Sequence, residues 1–392
     1  MQGPDTRYDT AIRATNDDAS LSKLAAVRLG YWADPWLGHF LNTPVLAAAA
    51  PPRPGGGLGP PPRRHGAHST RRPPLINRGY FCRYLAFKWL VDAFMDAVPA
   101  DSPSNIIALG AGFDTTFFRL ADAATAGEPG TRLPTRYVEL DFIDVTRRKA
   151  TAIGAVPDLL AAVGGGGEGW SDSPPHVDPA AGTATGASYR LRPVDLRDAE
   201  SVLATLDAAG VHPAHPTLIL AECVLAYLPP DAGSALLAAL GARFRADAAA
   251  AVYDPIRPDD AFGRQMAANL EARGCPLVGV PGAPNPDDQA ARFTAGGAWG
   301  RAAAADLREV WARRTPASAH AAADALERLD EMEEWHLILE HYGLAVGVND
   351  GGGSGVLRGF GLPPLVAGRG AGEGVTTAAA AAWAAKAGRM KA

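Results

Sequence analysis

The chain has 392 residues, of which 47% are hydrophobic and 20% charged, a balance typical of a folded globular protein and far from that of a disordered one. Its 37 Lys and Arg residues stand against 42 Asp and Glu, a formal net charge of −5, and this leaves no broad basic surface of the kind that follows a nucleic-acid backbone. Small-molecule or protein partners fit better, and no nucleic acid is expected.

In chain order, Met1 to Ser20 are polar and lack the apolar core of an export signal. Residues 1–45 then carry SLSKLAAVRLGYWADPWLGHFL, in which Leu21, Leu24, Ala25, Val27 and Leu29 partly follow helical spacing, so a short N-terminal helical segment packed on the core is expected. Residues 46–74 hold too many Pro and Gly residues for regular structure and read as a disordered Pro/Arg/Gly-rich insert. From Ile76 to Val98 the residues Tyr80, Tyr84, Phe87, Leu90, Val91 and Phe94 recur at helical period, and Pro99 ends the helix.

The run NIIALGAG that follows reads as a strand closing on glycines, with a helix opening at Asp114 or Thr115. Further strands are expected at RYVELDF, RLRPVDLRD, TLILAECVLAYL and AAAVYDPI, with a helix from Asp231 to Phe244 between the last two. Strands alternating with helices give a doubly wound α/β domain over 75–348. An irregular insert is expected at about 157–188 and a low-complexity tail at 349–392. Three cysteines at wide spacing, Cys82, Cys223 and Cys275, suit neither a disulfide framework nor a metal site, which points to a reducing, cytoplasmic setting. No run reaches the roughly eighteen apolar residues of a membrane span.

Open α/β sheets bind ligands beyond the carboxyl ends of their strands, so the residues there are the candidates for chemistry. Gly110 and Gly112 of ALGAGFDTT would let backbone approach a ligand, while Thr115, at the place of a third fingerprint glycine, argues against a dinucleotide. Asp141 of VELD can accept hydrogen bonds from a ribose, or else cap the next helix. Asp195 and Leu196 of PVDLRD could receive an adenine amine and flank its ring, or form a surface turn. Glu222, directly after an apolar strand, needs a cationic partner if buried. Tyr227 lies where a substrate could meet a cofactor, with a core tyrosine as the alternative. Arg78 and Arg83 of INRGYFCRY offer guanidinium forks for a carboxylate, or are solvated.

INRGYFCRY, ALGAGFDTTFFRL, YVELDF, PVDLRD and LILAECVLAYLPP, taken in this order with DDASLSKLAAVRLGYWADPW before them and LERLDEMEEWHLILEHYGL after, resemble the leucine carboxyl methyltransferase family. The resemblance implies a class I S-adenosylmethionine-dependent methyltransferase fold, a seven-stranded mostly parallel sheet whose last strand is antiparallel, with an N-terminal helical lid. It implies that Lys23 and Arg83 hold the methionine carboxylate of the cofactor, that Gly110 approaches the same end, that Asp141 takes the ribose, that Asp195 and Leu196 take the adenine, and that Glu222 lines the pocket. It further implies methyl transfer to the C-terminal leucine carboxylate of a type 2A protein phosphatase catalytic subunit; a monomer is expected. Such a carboxylate is ionised at cellular pH, its reference pKa being about 3.5, so Tyr227 and Arg78 are expected to position it rather than to deprotonate it. The rival readings are a related carboxyl methyltransferase of a modified tRNA nucleoside, whose extra repeat domain is not legible here, and a non-catalytic cofactor-binding partner of the phosphatase.

Overall fold

In chain order the computed structural model, which describes residues 6–42, 71–128, 131–165, 174–352 and 354–363, begins with helices α1 (Thr6–Leu29), α2 (Leu37–Asn42) and α3 (Pro74–Ala97). Pro74 occupies the first turn of α3, where a missing N–H leaves no helical bond unmade. Strand β1 (Asn105–Leu109) leads to α4 (Thr116–Thr125), then β2 (Arg136–Asp141), α5 (Ile143–Ala155) and α6 (Pro157–Gly164). Two short strands, β3 (His176–Asp178) and β4 (Thr183–Thr185), precede β5 (Tyr189–Pro193), α7 (Ala199–Ala208), β6 (Thr217–Glu222), α8 (Pro230–Arg243) and β7 (Ala248–Pro255). The chain continues through α9 (Ala261–Ala272), α10 (Pro286–Thr294), β8 (Arg301–Asp306), α11 (Leu307–Arg314), α12 (Ala317–Leu326), α13 (Met332–Glu340) and β9 (Tyr342–Asn349).

Among the described residues the sheet has nine strands in the order β3-β4-β5-β2-β1-β6-β7-β9-β8. The five from β5 to β7 are parallel, and β9 runs antiparallel to both β7 and β8. The expected α/β fold, with its antiparallel last strand, is therefore present. Alternation along β1 shows why both faces are covered: Ile106 and Ala108 enter one apolar layer, and Ile107 and Leu109 the other.

Two expectations are corrected. The stretch at 157–188 is partly regular, and its β3 and β4 extend the expected seven strands to nine among the described residues. Its Leu159 and Val163, four residues apart, bury one face of α6, while Gly182, at φ +67, turns β3 into β4. The tail likewise starts later than 349. Leu357 and Phe360 are buried, Phe360 stacks on Trp89 at 6.3 Å, and Arg301 donates to the carbonyls of Leu357 and Phe360 at 2.9 and 2.8 Å. Most of the insert expected at 46–74 and the chain from 364 onward lie outside the described residues.

Candidate functional site

A cavity of about 330 Å³ opens at the carboxyl ends of the parallel strands, the place where a doubly wound sheet receives its ligands. Gly110 and Gly112 follow β1 with φ of +59 and +51, in the left-handed region that a side chain disfavours. Gly110 has no room for one either, since a Cβ there would stand 2.7 Å from Val224 Cγ2. Helix α1, longer than the short helical segment expected, closes the cavity from above with Ile12, Asn16, Ala19 and Lys23. The amide Oδ1 of Asn16 accepts the N–H of Phe113 at 2.9 Å, joining this lid to the glycine loop.

At one end of the cavity Glu222, ending β6, is clasped by two cations. Arg83 Nε donates to its Oε1, and Lys23 Nζ lies 3.2 Å from the same oxygen. Burial opposes the charge on Glu222, but Arg83 and Lys23 outweigh it and hold the carboxyl below its ordinary range. Arg83 also lies over the rings of Tyr253 and Tyr80, with its guanidinium carbon 4.9 and 5.5 Å from their centroids. One carboxylate beside two cations can serve both ends of an α-amino acid zwitterion: the ammonium at Glu222, the carboxylate at Lys23 and Arg83.

Asp141, ending β2, accepts the N–H groups of Gly112 and Phe142, each at 2.7 Å. Burial pushes its carboxyl up to about 6, although those N–H groups, Lys149 and Arg13 pull the other way. A carboxylate with lone pairs to spare in a half-desolvated cleft suits vicinal hydroxyls. Farther along, Val194 and the buried Leu196 supply an apolar wall with Phe142 and Val145. Toward the other side Tyr80, Phe87, Tyr227, Pro255 and Tyr342 make a second, largely aromatic wall.

The structure thus brings Lys23, Arg83, Gly110, Gly112, Asp141, Leu196, Glu222 and Tyr227 to one cavity. It does not bring two of the expected residues. Asp195 is absent from the lining because its carboxylate is taken by Arg197, whose Nη2 lies 2.6 Å from Oδ2, and Arg197 lines the cavity in its stead. Arg78 is on the wrong side of α3. Five residues before Arg83, it is rotated roughly 140° from it about the helix axis. It points to α12 instead, donating to Asp324 Oδ1 at 2.7 Å and to the carbonyls of Glu327 and Ala323 at 2.7 and 3.3 Å. That is a helix C-terminal capping role.

Sequence reasoning missed the rest of the lid. Tyr8 OH donates to the carbonyl of Tyr227 at 2.7 Å, and four pairs tie α1 to the rim. These are Asp9 with Arg197 at 3.0 Å, Arg13 with Asp144 at 2.6 Å, Asp17 with Arg148 at 2.7 Å, and Asp18 with Arg273. The charge-rich NDDAS stretch beside an apolar stripe signals the Asp17 and Asp18 pairs, whereas Tyr8, Asp9 and Arg13 lie before it. Among the described residues no cluster of His, Cys, Asp and Glu could hold a metal ion, and no helix is long and apolar enough to cross a membrane.

The sequence model of the family described as Leucine carboxyl methyltransferase matches residues 11–241. The chain is 36% identical over 352 residues to the Leucine carboxyl methyltransferase 1 homolog of Arabidopsis thaliana, covering 90% of this chain and 92% of that protein. It is also 37% identical over 337 residues to the tRNA wybutosine-synthesizing protein 4 of Homo sapiens, covering 85% of this chain but 43% of that one. Among solved structures, the plantazolicin methyltransferase in complex with a triazolic desmethylPZN analog and SAH aligns with a TM-score of 0.39 at 7% identity, over 86% of this chain and 99% of that one.

Proposed function

This chain belongs to the leucine carboxyl methyltransferase family, and from that premise we propose that it transfers a methyl group from S-adenosylmethionine to the α-carboxylate of the C-terminal leucine of a type 2A protein phosphatase catalytic subunit, giving a methyl ester. The observation that carries the reading is the placement of the Lys23–Arg83–Glu222 cluster and of Asp141 in one cavity. These are complements for an amino-acid head and for a ribose, with the Leu196 wall left for a flat base. The proposed setting is the cytoplasm, and the proposed state a monomer.

Bound there, S-adenosylmethionine would supply a methyl group on a positively charged sulfur. The chain's own task is then positional. The acceptor carboxylate is already ionised, so no side chain has to remove a proton, and Tyr227, whose hydroxyl is held well above its ordinary range by burial, is unsuited to do so. What α1 and the aromatic wall contribute is exclusion of water and alignment of the carboxylate oxygen with the methyl carbon, worth on the order of 7–11 kcal/mol when complete. Arg78, engaged by α12, takes no part in holding the acceptor.

Intact-mass analysis tests the reading. A phosphatase catalytic subunit incubated with this protein and S-adenosylmethionine should gain one methyl group, and a subunit lacking its terminal leucine should gain none. Methylation of neither, with cofactor binding shown separately, would move the acceptor to a tRNA nucleoside or leave a non-catalytic partner of the phosphatase.

A further inference from the structure

Between Glu222 and Tyr227 the chain makes a turn that its residue types do not favour. Cys223 has φ +57, a left-handed conformation that a non-glycine residue adopts only when its surroundings impose it. Two bonds impose it here. The Cys223 N–H donates to the carbonyl of Tyr253 at 2.7 Å, extending the β6–β7 ladder, and the next N–H, of Val224, donates to Asp254 Oδ1 at 3.2 Å. The first bond is backbone to backbone and depends on no side chain. The second depends on one side chain.

Asp254 is 2% exposed, sits next to the last residue of β7, and lies outside the cavity lining. Its Oδ2 has no hydrogen-bond partner and stands 3.8 Å from Nη2 of Arg292, whose Nε and Nη2 are also buried without one. Burial pushes the Asp254 carboxyl up to about 7, with Arg292 and the backbone N–H groups of Ala226 and Val224 pulling it back, so the loosely paired side chains are costly to bury and need a use. The turn provides it. Val224, beyond Cys223, packs so closely on the glycine loop that a Cβ at Gly110 would meet its side chain at 2.7 Å, while the two residues before it, Glu222 and Cys223, line the cavity. Moving the Val224 N–H therefore moves the carboxylate that Lys23 and Arg83 clasp and one wall of the glycine loop together.

We propose that Asp254, held in place by Arg292, is a positioning residue that pins the left-handed turn at Cys223 and so sets the cofactor-binding geometry of Glu222, Val224 and Tyr227. The inference rests on the reading of the cavity as an S-adenosylmethionine site. It gives the buried ion pair a consequence at the site without any contact to ligand.

The test is calorimetric titration of the full chain with S-adenosylmethionine. Asp254→Ala should weaken binding tenfold or more, and Asp254→Asn, whose amide oxygen can still accept the Val224 N–H, should lose clearly less. Cys223→Gly placed on Asp254→Ala should recover most of the loss, because glycine takes a left-handed turn without steric cost. A merely structural role would not show that recovery. Should Asp254→Ala not fold, the Asp254→Leu, Arg292→Met double variant removes both charges and should show the same loss. Binding by Asp254→Ala, or by the double variant, within twofold of the unaltered protein overturns the proposal, as does failure of Cys223→Gly to restore it. Absence of binding by the unaltered protein would instead refute the reading of the cavity, so the two failures are distinct.

Discussion

Lys149 Nζ lies 2.6 Å from Glu139 Oε2 with both side chains fully buried, and the same ammonium donates to the carbonyl of Asp114 at 2.7 Å. The pair therefore ties the middle of β2, through α5, to the loop that follows the two glycines. Burial pushes the Glu139 carboxyl up to about 7, with Lys149 pulling it back. Lys149→Met leaves that carboxyl without a cation and with the Tyr189 hydroxyl as its remaining donor at 2.6 Å, and the expected loss is about 3–5 kcal/mol at about pH 8. The loss should be smaller at about pH 5.5. Glu139 would then carry in the folded state a proton that the unfolded chain, titrating near 4.5, mostly releases, and stability from this group fades as pH rises through the folded value. Urea unfolding at the two pH values checks it; equal losses would mean that the carboxyl is not the cause.

The parallel strands and their ends were legible because buried strands are short, nearly continuous apolar runs, and TLILAE and NIIAL are of that kind. Glycine loops and strand-end carboxylates followed from the place in the sheet, and Asp141 and Glu222 do line the cavity. Arg78 and Asp195 were not, for one physical reason: a motif names residue types, whereas helix phase and a competing partner decide where a side chain goes. Arg83 and Arg78 share a motif and face different partners, and Arg197, two residues on, takes Asp195. The lid contacts and the Asp254 bond join segments hundreds of residues or a whole strand apart, and no local spacing encodes them.

Arg83 is placed to act on cofactor affinity. Arg83→Ala removes a charged donor from Glu222 and leaves that carboxylate with Lys23 alone, so S-adenosylmethionine binding should fall about 10- to 100-fold, equivalent to the 1.5–3 kcal/mol or so of a hydrogen bond to a charged group. Unchanged affinity by calorimetry would sink the assignment.

Arg78→Ala should do the opposite. It leaves the carbonyls of Ala323 and Glu327 at the end of α12 without their donor, and about 2–4 kcal/mol of stability should go with them, while cofactor affinity stays within about twofold. A thermal unfolding curve beside a binding isotherm separates the two arginines. Loss of affinity without loss of stability would return Arg78 to the site.

Asp141 should give the site a pH dependence. Its carboxyl is pushed up to about 6, and the ionised form is the better acceptor for ribose hydroxyls. Affinity for S-adenosylmethionine should therefore rise with pH up to about 6 and level off above it, falling toward tenfold per unit below. Below the midpoint, binding should release a proton, seen as a dependence of the calorimetric heat on the buffer's ionisation enthalpy. Asp141→Asn should bind more weakly and lose both effects; an unaltered pH profile in that variant would assign the titration to another group.

The rim of ion pairs on α1 should make exchange at the site sensitive to salt. Asp18 with Arg273 is exposed, and Asp17 with Arg148 and Arg13 with Asp144 are partly so. Each such pair contributes only about 0.2–1 kcal/mol, but all must part together if α1 is to lift. Between 0.1 and 1 M salt the screening length shrinks from about 10 to about 3 Å, so release of bound S-adenosylmethionine should quicken by about 3- to 10-fold. Asp17→Asn with Asp18→Asn should show fast release already at low salt and a flatter response. Stopped-flow release that ignores salt in the unaltered protein would mean that α1 is held by its apolar face and by Tyr8 rather than by these charges.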